Sequence, residues 1–358
     1  MGSMEDATTV QTVTDPSVID MALGHPDPAL LPLQIMRRAA KHRFSREDPL
    51  ILQYGGEKGD EAFRAALAEF LARVSGEKAD VRELMVSGGI SQALDIICTL
   101  FAPPGSLVVV EEPTYFLALR IFRDHGVRIR SVPVDDEGMD VDALEGILEE
   151  ERPELVYTIP SFQNPMGFCM AGERRDRLME LAARHGFLVV ADEAYRLLRY
   201  RGEQTKAFGE YSGGGHVLAL GSFSKILGPG LRLGWIRGSK EPLHRIVTCG
   251  QLDSGGGLNA FAASIVKSAL ISGDLDRHLS MLRETYSSRM DRLSQALGRE
   301  FAVHGQWSRP DGGYFLWVRL GDGLTAGALK EAAKEEKVRF LPGSRCSSGA
   351  AGAGSRAA

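Results

Sequence analysis

Lys225 stands in Gly221-Ser222-Phe223-Ser224-Lys225, with Pro229-Gly230-Leu231-Arg232-Leu233-Gly234 just beyond it. A lysine amine is a nucleophile toward carbonyl compounds and forms Schiff bases with them. Ser222 and Ser224 before it, and Arg232 seven residues on, are what a phosphate beside such a Schiff base needs: hydroxyl donors and a guanidinium fork. Three other groups invite the same attention. Gly88-Gly89-Ile90-Ser91-Gln92 lets the backbone approach an anion and opens a helix whose N–H groups point outward, though two glycines before a helix are often only a turn. Asn164 precedes Pro165, which pushes it to an extended backbone and aims its amide out of the turn; a loop cap is the plain alternative. Asp192, in Asp192-Glu193-Ala194-Tyr195, is a carboxylate ending an apolar run. It is either a helix cap or a buried charge that needs a positive partner.

These groups require elements to hold them. Apolar, β-rich runs predict strands at Leu84 to Ser87, Leu107 to Glu111, Val127 to Val132, Leu155 to Ile159, Phe187 to Ala191 and His216 to Leu220. Helical spacing appears at Gln34 to Phe44, Asp60 to Val74, Ile90 to Phe101, Tyr115 to His125 and Gly172 to His185. Such alternation predicts an α/β fold, with a mostly parallel sheet and helices on both faces. Ligands of such sheets gather at the carboxyl ends of the strands. All the groups above follow strands. A long amphipathic helix from Leu275 to Leu297 comes next, then a strand at Gly313 to Leu320, a helix at Thr325 to Glu335 and a strand at Val338 to Leu341. That last group predicts a smaller α+β domain.

The lysine loop, with Asn164, Asp192 and Tyr195, resembles fold-type I pyridoxal-phosphate enzymes, the class I/II aminotransferases. The opening with Gly24 and Pro28, and the Gln163-Asn164-Pro165 loop, are most similar to the aminoadipate/kynurenine aminotransferase-like and MocR-related branch. The resemblance covers Ile19 to Gly343. It implies a seven-stranded-type large domain over 49–275 and a small domain made of 19–48 and 276–345. A tag and arm would occupy 1–18, and a disordered Gly/Ala/Ser tail 346–358. It further implies that Lys225 binds pyridoxal phosphate and shuttles the proton, and that Asp192 keeps the ring nitrogen protonated. Tyr195 and Asn164 would meet the phenolic oxygen, and Tyr115 would stack on the ring. Gly89, Ile90, Gln92, Ser222, Ser224 and Arg232 would cradle the phosphate. Tyr54 would reach the phosphate of a neighbouring subunit, implying a homodimer. Gly24, Asn164 and Arg356 would meet the substrate. The activity implied is ping-pong transfer of an amino group from an L-amino acid to a 2-oxo acid.

Two departures matter. The motif's usual Thr is Met166 here. The family's hydrophobic-Arg-Leu segment after Pro342-Gly343, whose arginine holds the substrate carboxylate, is replaced by Gly, Ala and Ser. Arg356 stands at a suitable distance without hydrophobic flanks, and Arg345 is the other candidate; the chain reads as C-terminally shortened. A lyase or decarboxylase on the same cradle, or an impaired amine-binding paralogue, therefore stays open. A winged helix-turn-helix does not precede residue 19, which disfavours a DNA-binding regulator.

Composition agrees with this picture. The 358 residues are 44% hydrophobic and 25% charged with net charge −5, so no basic face suggests nucleic acid or anionic membrane. No run approaches the ~20 apolar residues of a membrane span. Four cysteines without close spacing argue against zinc or a disulfide framework and for a reducing, cytoplasmic setting. No metal site is expected.

Overall fold

A run of Val, Leu and Ile without alternation can be a strand only where both of its faces are covered, and the computed structural model covers them. It describes residues 15, 17–22 and 24–349. In chain order the first half holds β1 (Ile19–Asp20), α1 (Leu33–Phe44), α2 (Glu61–Ser75), β2 (Leu84–Ser87), α3 (Ile90–Phe101) and β3 (Leu107–Glu112). Next come α4 (Phe116–Asp124), β4 (Arg128–Asp135), β5 (Gly138–Met139), α5 (Val141–Glu150), β6 (Leu155–Thr158), α6 (Gly172–His185) and β7 (Leu188–Asp192). The second half holds β8 (Val217–Ser222), β9 (Gly234–Gly238), α7 (Lys240–Val247), α8 (Gly250–Gly255), α9 (Ala260–Ile271) and α10 (Asp274–Glu300). It ends with β10 (Gly305–Gln306), β11 (Arg319–Leu320), α11 (Ala326–Glu335) and β12 (Val338–Arg339).

The main sheet runs β2-β9-β8-β7-β6-β3-β4-β5. From β8 to β4 all pairs are parallel, while β2–β9, β9–β8 and β4–β5 are antiparallel. The sheet is therefore mixed: its eighth strand is the two-residue β5, and seven remain without it. Successive residues of β3 face opposite layers, Val108 and Val110 toward α3 and α4, Leu107 and Val109 toward α5 and α6. A third apolar cluster joins α2, α9 and α10 to β2 and to the turns at Tyr195 and Phe223.

One expectation needs correction, and one strand went unpredicted. β9, Gly-Trp-Ile-Arg-Gly, is not among the expected strands, because glycine in isolation signals a turn. Its glycines have a packing cause: a Cβ on Gly234 would stand 2.6 Å from the Gly221 carbonyl oxygen, and one on Gly238 2.6 Å from the Leu218 side chain. The strand expected at Gly313 to Leu320 forms only at Arg319–Leu320, paired with β10. Upstream, Tyr314 and Phe315 pack toward Tyr195, so the alternation there reflects cleft packing rather than strand pairing.

The boundary expected at residue 346 also lies within packed chain. Gly343–Cys346 forms a 3₁₀ turn, with Cys346 and Ser348 buried. The Thr114 amide donates to the Cys346 carbonyl at 2.9 Å, and the Ser348 amide to Glu112 at 2.9 Å. Near the other end, β1 pairs in parallel with β12. No helix among the described residues is long and apolar enough to cross a membrane.

Candidate active site

The carboxyl ends of β2, β3, β6, β7 and β8 open into one cleft of about 530 Å³. Lys225 enters it from the turn after β8. That turn is anchored by Phe223, whose ring packs 5.1 Å from Trp235, and closed by the Ser224 amide donating to Ser222 Oγ at 3.0 Å. The Tyr314 hydroxyl donates to the Lys225 carbonyl at 3.0 Å. Lys225 Nζ donates to the Gly24 carbonyl at 2.6 Å. Burial pushes this amine down to about 8, assisted by Arg232 and opposed by Asp192.

Asp192 ends β7, fully within the protein. Tyr157 donates its hydroxyl to Oδ2 at 2.9 Å, and the Ala194 amide donates to Oδ1 at 3.1 Å. Burial raises its carboxyl to about 6 against both hydrogen bonds and the Lys225 charge. Tyr195, three residues after Asp192, is buried with its ring 5.6 Å from those of Tyr314 and Phe315. Burial holds its phenol well above the ordinary range. Tyr115, at the start of α4, lines the cleft, and its phenol is pushed up to about 12, first by burial and then by the Asp192 charge.

The phosphate side is built on α3. Gly89 precedes the helix at φ +91°, where L side chains strain, and a Cβ there would meet Arg232 Nη2 at 3.1 Å. Arg232 itself adopts φ +45°. Gln92 Oε1 accepts from the Gly88 amide at 3.0 Å, while its Nε2 is buried with no partner. Ile90, Ser222 and Ser224 line the same cleft.

Asn164 lies in a cis Asn164-Pro165 turn, buried, with Oδ1 unpartnered.

Most sequence-predicted site residues thus share one cleft, including Gly24. Tyr54 does not: it is 78% exposed and lies away from the cleft lining. Arg356 falls outside the described residues. Arg345 is exposed, with its guanidinium 5.3 Å over the ring of Phe116, a cleft residue. Sequence reasoning passed over Tyr157, Glu111, Tyr314 and Phe315. A phenol inside a fully buried strand needs an acceptor, which could have singled out Tyr157. Glu111 closes an apolar run just as Asp192 does, and the same reasoning applied to it.

The family model for aminotransferases of class I and II matches residues 16–353. The chain belongs to that family. Aromatic-amino-acid aminotransferase 1 of Thermococcus litoralis is 37% identical, over 96% of this chain and 83% of its own. The multiple substrate aminotransferase of Thermococcus profundus superposes with TM-score 0.88 at 34% identity, covering 97% of this chain and 87% of that one. The Pyrococcus horikoshii kynurenine aminotransferase, solved with PMP, gives 0.86 at 34% identity, covering 95% and 84%. The protein is an aminotransferase of the fold-type I class, and its cofactor is pyridoxal phosphate. The residues present fit that group. The donor Gln92 Nε2 is unspent beside an arginine and a helix N-terminus, and a side chain at Gly89 would press on that arginine.

Proposed function

We propose that this aminotransferase acts on L-amino acids with aromatic or large apolar side chains, and that Lys225 and Asp192 are its central catalytic residues. The observation carrying this reading is the shared cleft: a lysine with a depressed proton affinity, a buried carboxylate and an anion cradle meet at one sheet edge. The cofactor, when bound, supplies an electron sink that stabilises negative charge at the substrate's Cα. Asp192, held by Tyr157 and the Ala194 amide, would keep the ring nitrogen protonated. Lys225, whose amine is lowered to about 8, would take the proton from the substrate's Cα as base and give it back as acid. Gly89, Ile90, Gln92, Ser222, Ser224 and Arg232 hold the phosphate. Tyr115 would stack on the ring, while Asn164 and Tyr195 would bind its phenolic oxygen.

Ile90, Leu94, Phe116, Leu117, Leu31 and Leu341 give the remaining cleft wall an apolar character, which supports the substrate class, as does the similarity to an aromatic-amino-acid and a kynurenine aminotransferase. A homodimer is part of the proposal. Leu50, Leu52 and Tyr54 are 71%, 78% and 78% exposed on consecutive turns, beside the exposed pair Phe44 and Phe261. That apolar face suits a second copy carrying the same patch, with Tyr54 reaching its phosphate. Four free cysteines support placement in the reducing cytoplasm.

The test is the visible spectrum of the loaded protein during addition of amino acids. Phenylalanine, tyrosine and kynurenine should bleach the yellow band at lower concentration than aspartate. Preferential bleaching by aspartate would defeat the substrate assignment, and a band unchanged in Lys225→Ala would defeat the lysine's role.

A further inference from the structure

Glu111 is a charged side chain with no part in the chemistry above, yet it is entirely shut off from water at the end of β3. Its carboxylate is met only by donors. The Thr158 hydroxyl donates to Oε1, and the Ile159 amide and Gln163 Nε2 donate to Oε2 at 3.2 and 3.1 Å. A buried carboxylate without such partners would cost several kcal/mol, so this arrangement is expensive to keep unless each donor is well placed. What it joins is more telling than its cost.

Gln163 also donates from Nε2 to the Pro113 carbonyl at 2.8 Å and accepts on Oε1 from the Met166 amide at 2.8 Å. Its backbone closes the loop, accepting from the Gly167 amide at 2.7 Å and donating to the Phe168 carbonyl at 2.9 Å. One side of this cluster is thus the turn Glu112-Pro113-Thr114-Tyr115. The other is the turn Gln163-Asn164-Pro165-Met166. Both turns contain a cis proline bond, and each delivers one cleft residue, Tyr115 or Asn164. Met166 has no hydroxyl with which to shape its loop, and its backbone is instead gripped by Gln163.

We infer that Glu111 is a positioning residue that, through Gln163, fixes the two turns carrying Tyr115 and Asn164 and so sets the aim of the Asn164 amide. The inference rests on the reading that Asn164 meets the cofactor's phenolic oxygen. Glutamine at position 111 keeps the shape but offers a neutral amide oxygen in place of a carboxylate, so the bonds from the Ile159 amide and Gln163 weaken, while the Thr158 hydroxyl can turn to accept from the NH₂. The cluster then loosens and Asn164 loses its aim.

The experiment is a pH titration of the visible band of the loaded protein in wild type, Glu111→Gln, Asn164→Ala and the double variant, with a melting curve for each. Losing a hydrogen bond to the ionised phenolic oxygen raises the midpoint, by on the order of one pH unit for Asn164→Ala. Glu111→Gln should move it in the same direction by a smaller amount, and the double variant should match Asn164→Ala alone. A Glu111→Gln protein that melts lower with an unmoved midpoint overturns the inference, leaving a merely structural carboxylate. So does a full additional shift on the Asn164→Ala background. If Asn164→Ala itself leaves the midpoint in place, the reading of Asn164 falls and the inference with it. Should Glu111→Gln fail to fold, Gln163→Leu severs the same link and is judged by the same outcomes.

Discussion

Arg237 and Lys225 are both cations kept from water, and the protein treats them in opposite ways. Arg237, toward the end of β9 remote from the cleft, has its donors taken up. Nη1 meets Glu77 at 2.7 Å, Nε and Nη2 meet Glu83 at 3.2 and 3.1 Å, and Nη2 also reaches the Lys78 carbonyl at 2.8 Å. Lys225 has one backbone carbonyl for three protons, and its neighbours Gln92 and Asn164 each carry an unpartnered buried atom. In the first place the hydrogen-bonding capacity is spent within the protein and the result is a fixed joint. In the second it is withheld, which burdens the fold and leaves groups available to a ligand. Buried charge by itself does not mark an active site, and neither does an unpartnered buried atom, since Arg196 beside Glu77 carries two; at Lys225 the unspent groups open on a cleft.

The comparison can be broken most forcefully at its centre. Lys225→Ala should lower kcat by at least about 10³-fold, since the proton transfer loses its acid and base; steady-state assays with an aromatic amino acid would show it. Glu77→Gln should leave kcat within a factor of two but destabilise the protein by about 3–5 kcal/mol, because Arg237 and Arg196 lose the buried carboxylate they share and Glu83 alone faces Arg237. Denaturant unfolding measures that loss, and an unchanged midpoint would dissolve the contrast.

A subtler effect concerns the cost of Lys225 itself. Its folded-state value of about 8 lies below the ordinary 10.5, so the folded state binds fewer protons between those limits and stability rises with pH there. The cofactor-free Lys225→Met protein should therefore be more stable than wild type below pH 8, by at most about 2–3 kcal/mol. The gain should vanish as pH approaches 10.5. Melting curves across that range give the answer. Smallest is Gly89→Ala, where strain at φ +91° and pressure on Arg232 should weaken cofactor affinity by about 1–2 kcal/mol, read by equilibrium titration.

The cleft was largely legible in the chain because it sits where apolar runs end. Strand Leu84–Ser87 was bounded correctly, and Lys225, Asp192, Asn164 and Gly89 all follow runs that read unambiguously as buried strands. β9 was not legible. It is an interior strand whose glycines lie against Gly221 and Leu218 of β8, and glycine in isolation signals a turn. Tyr157 and Glu111 were hidden for another reason. Their roles depend on which strands lie side by side, β6 beside β7 and β3 beside β6, and that order is absent from local pattern. Tyr54 shows the same limit on a larger scale, since its expected partner is on another copy of the chain.

The bond from Lys225 Nζ to the Gly24 carbonyl spans 201 positions of sequence. It ties the short segment after β1, which lies against Phe315, to the turn after β8. Once the amine is consumed the tie is lost, at about 1 kcal/mol for such a bond. The hold on the segment around Gly24 is thereby coupled to the chemical state of Lys225.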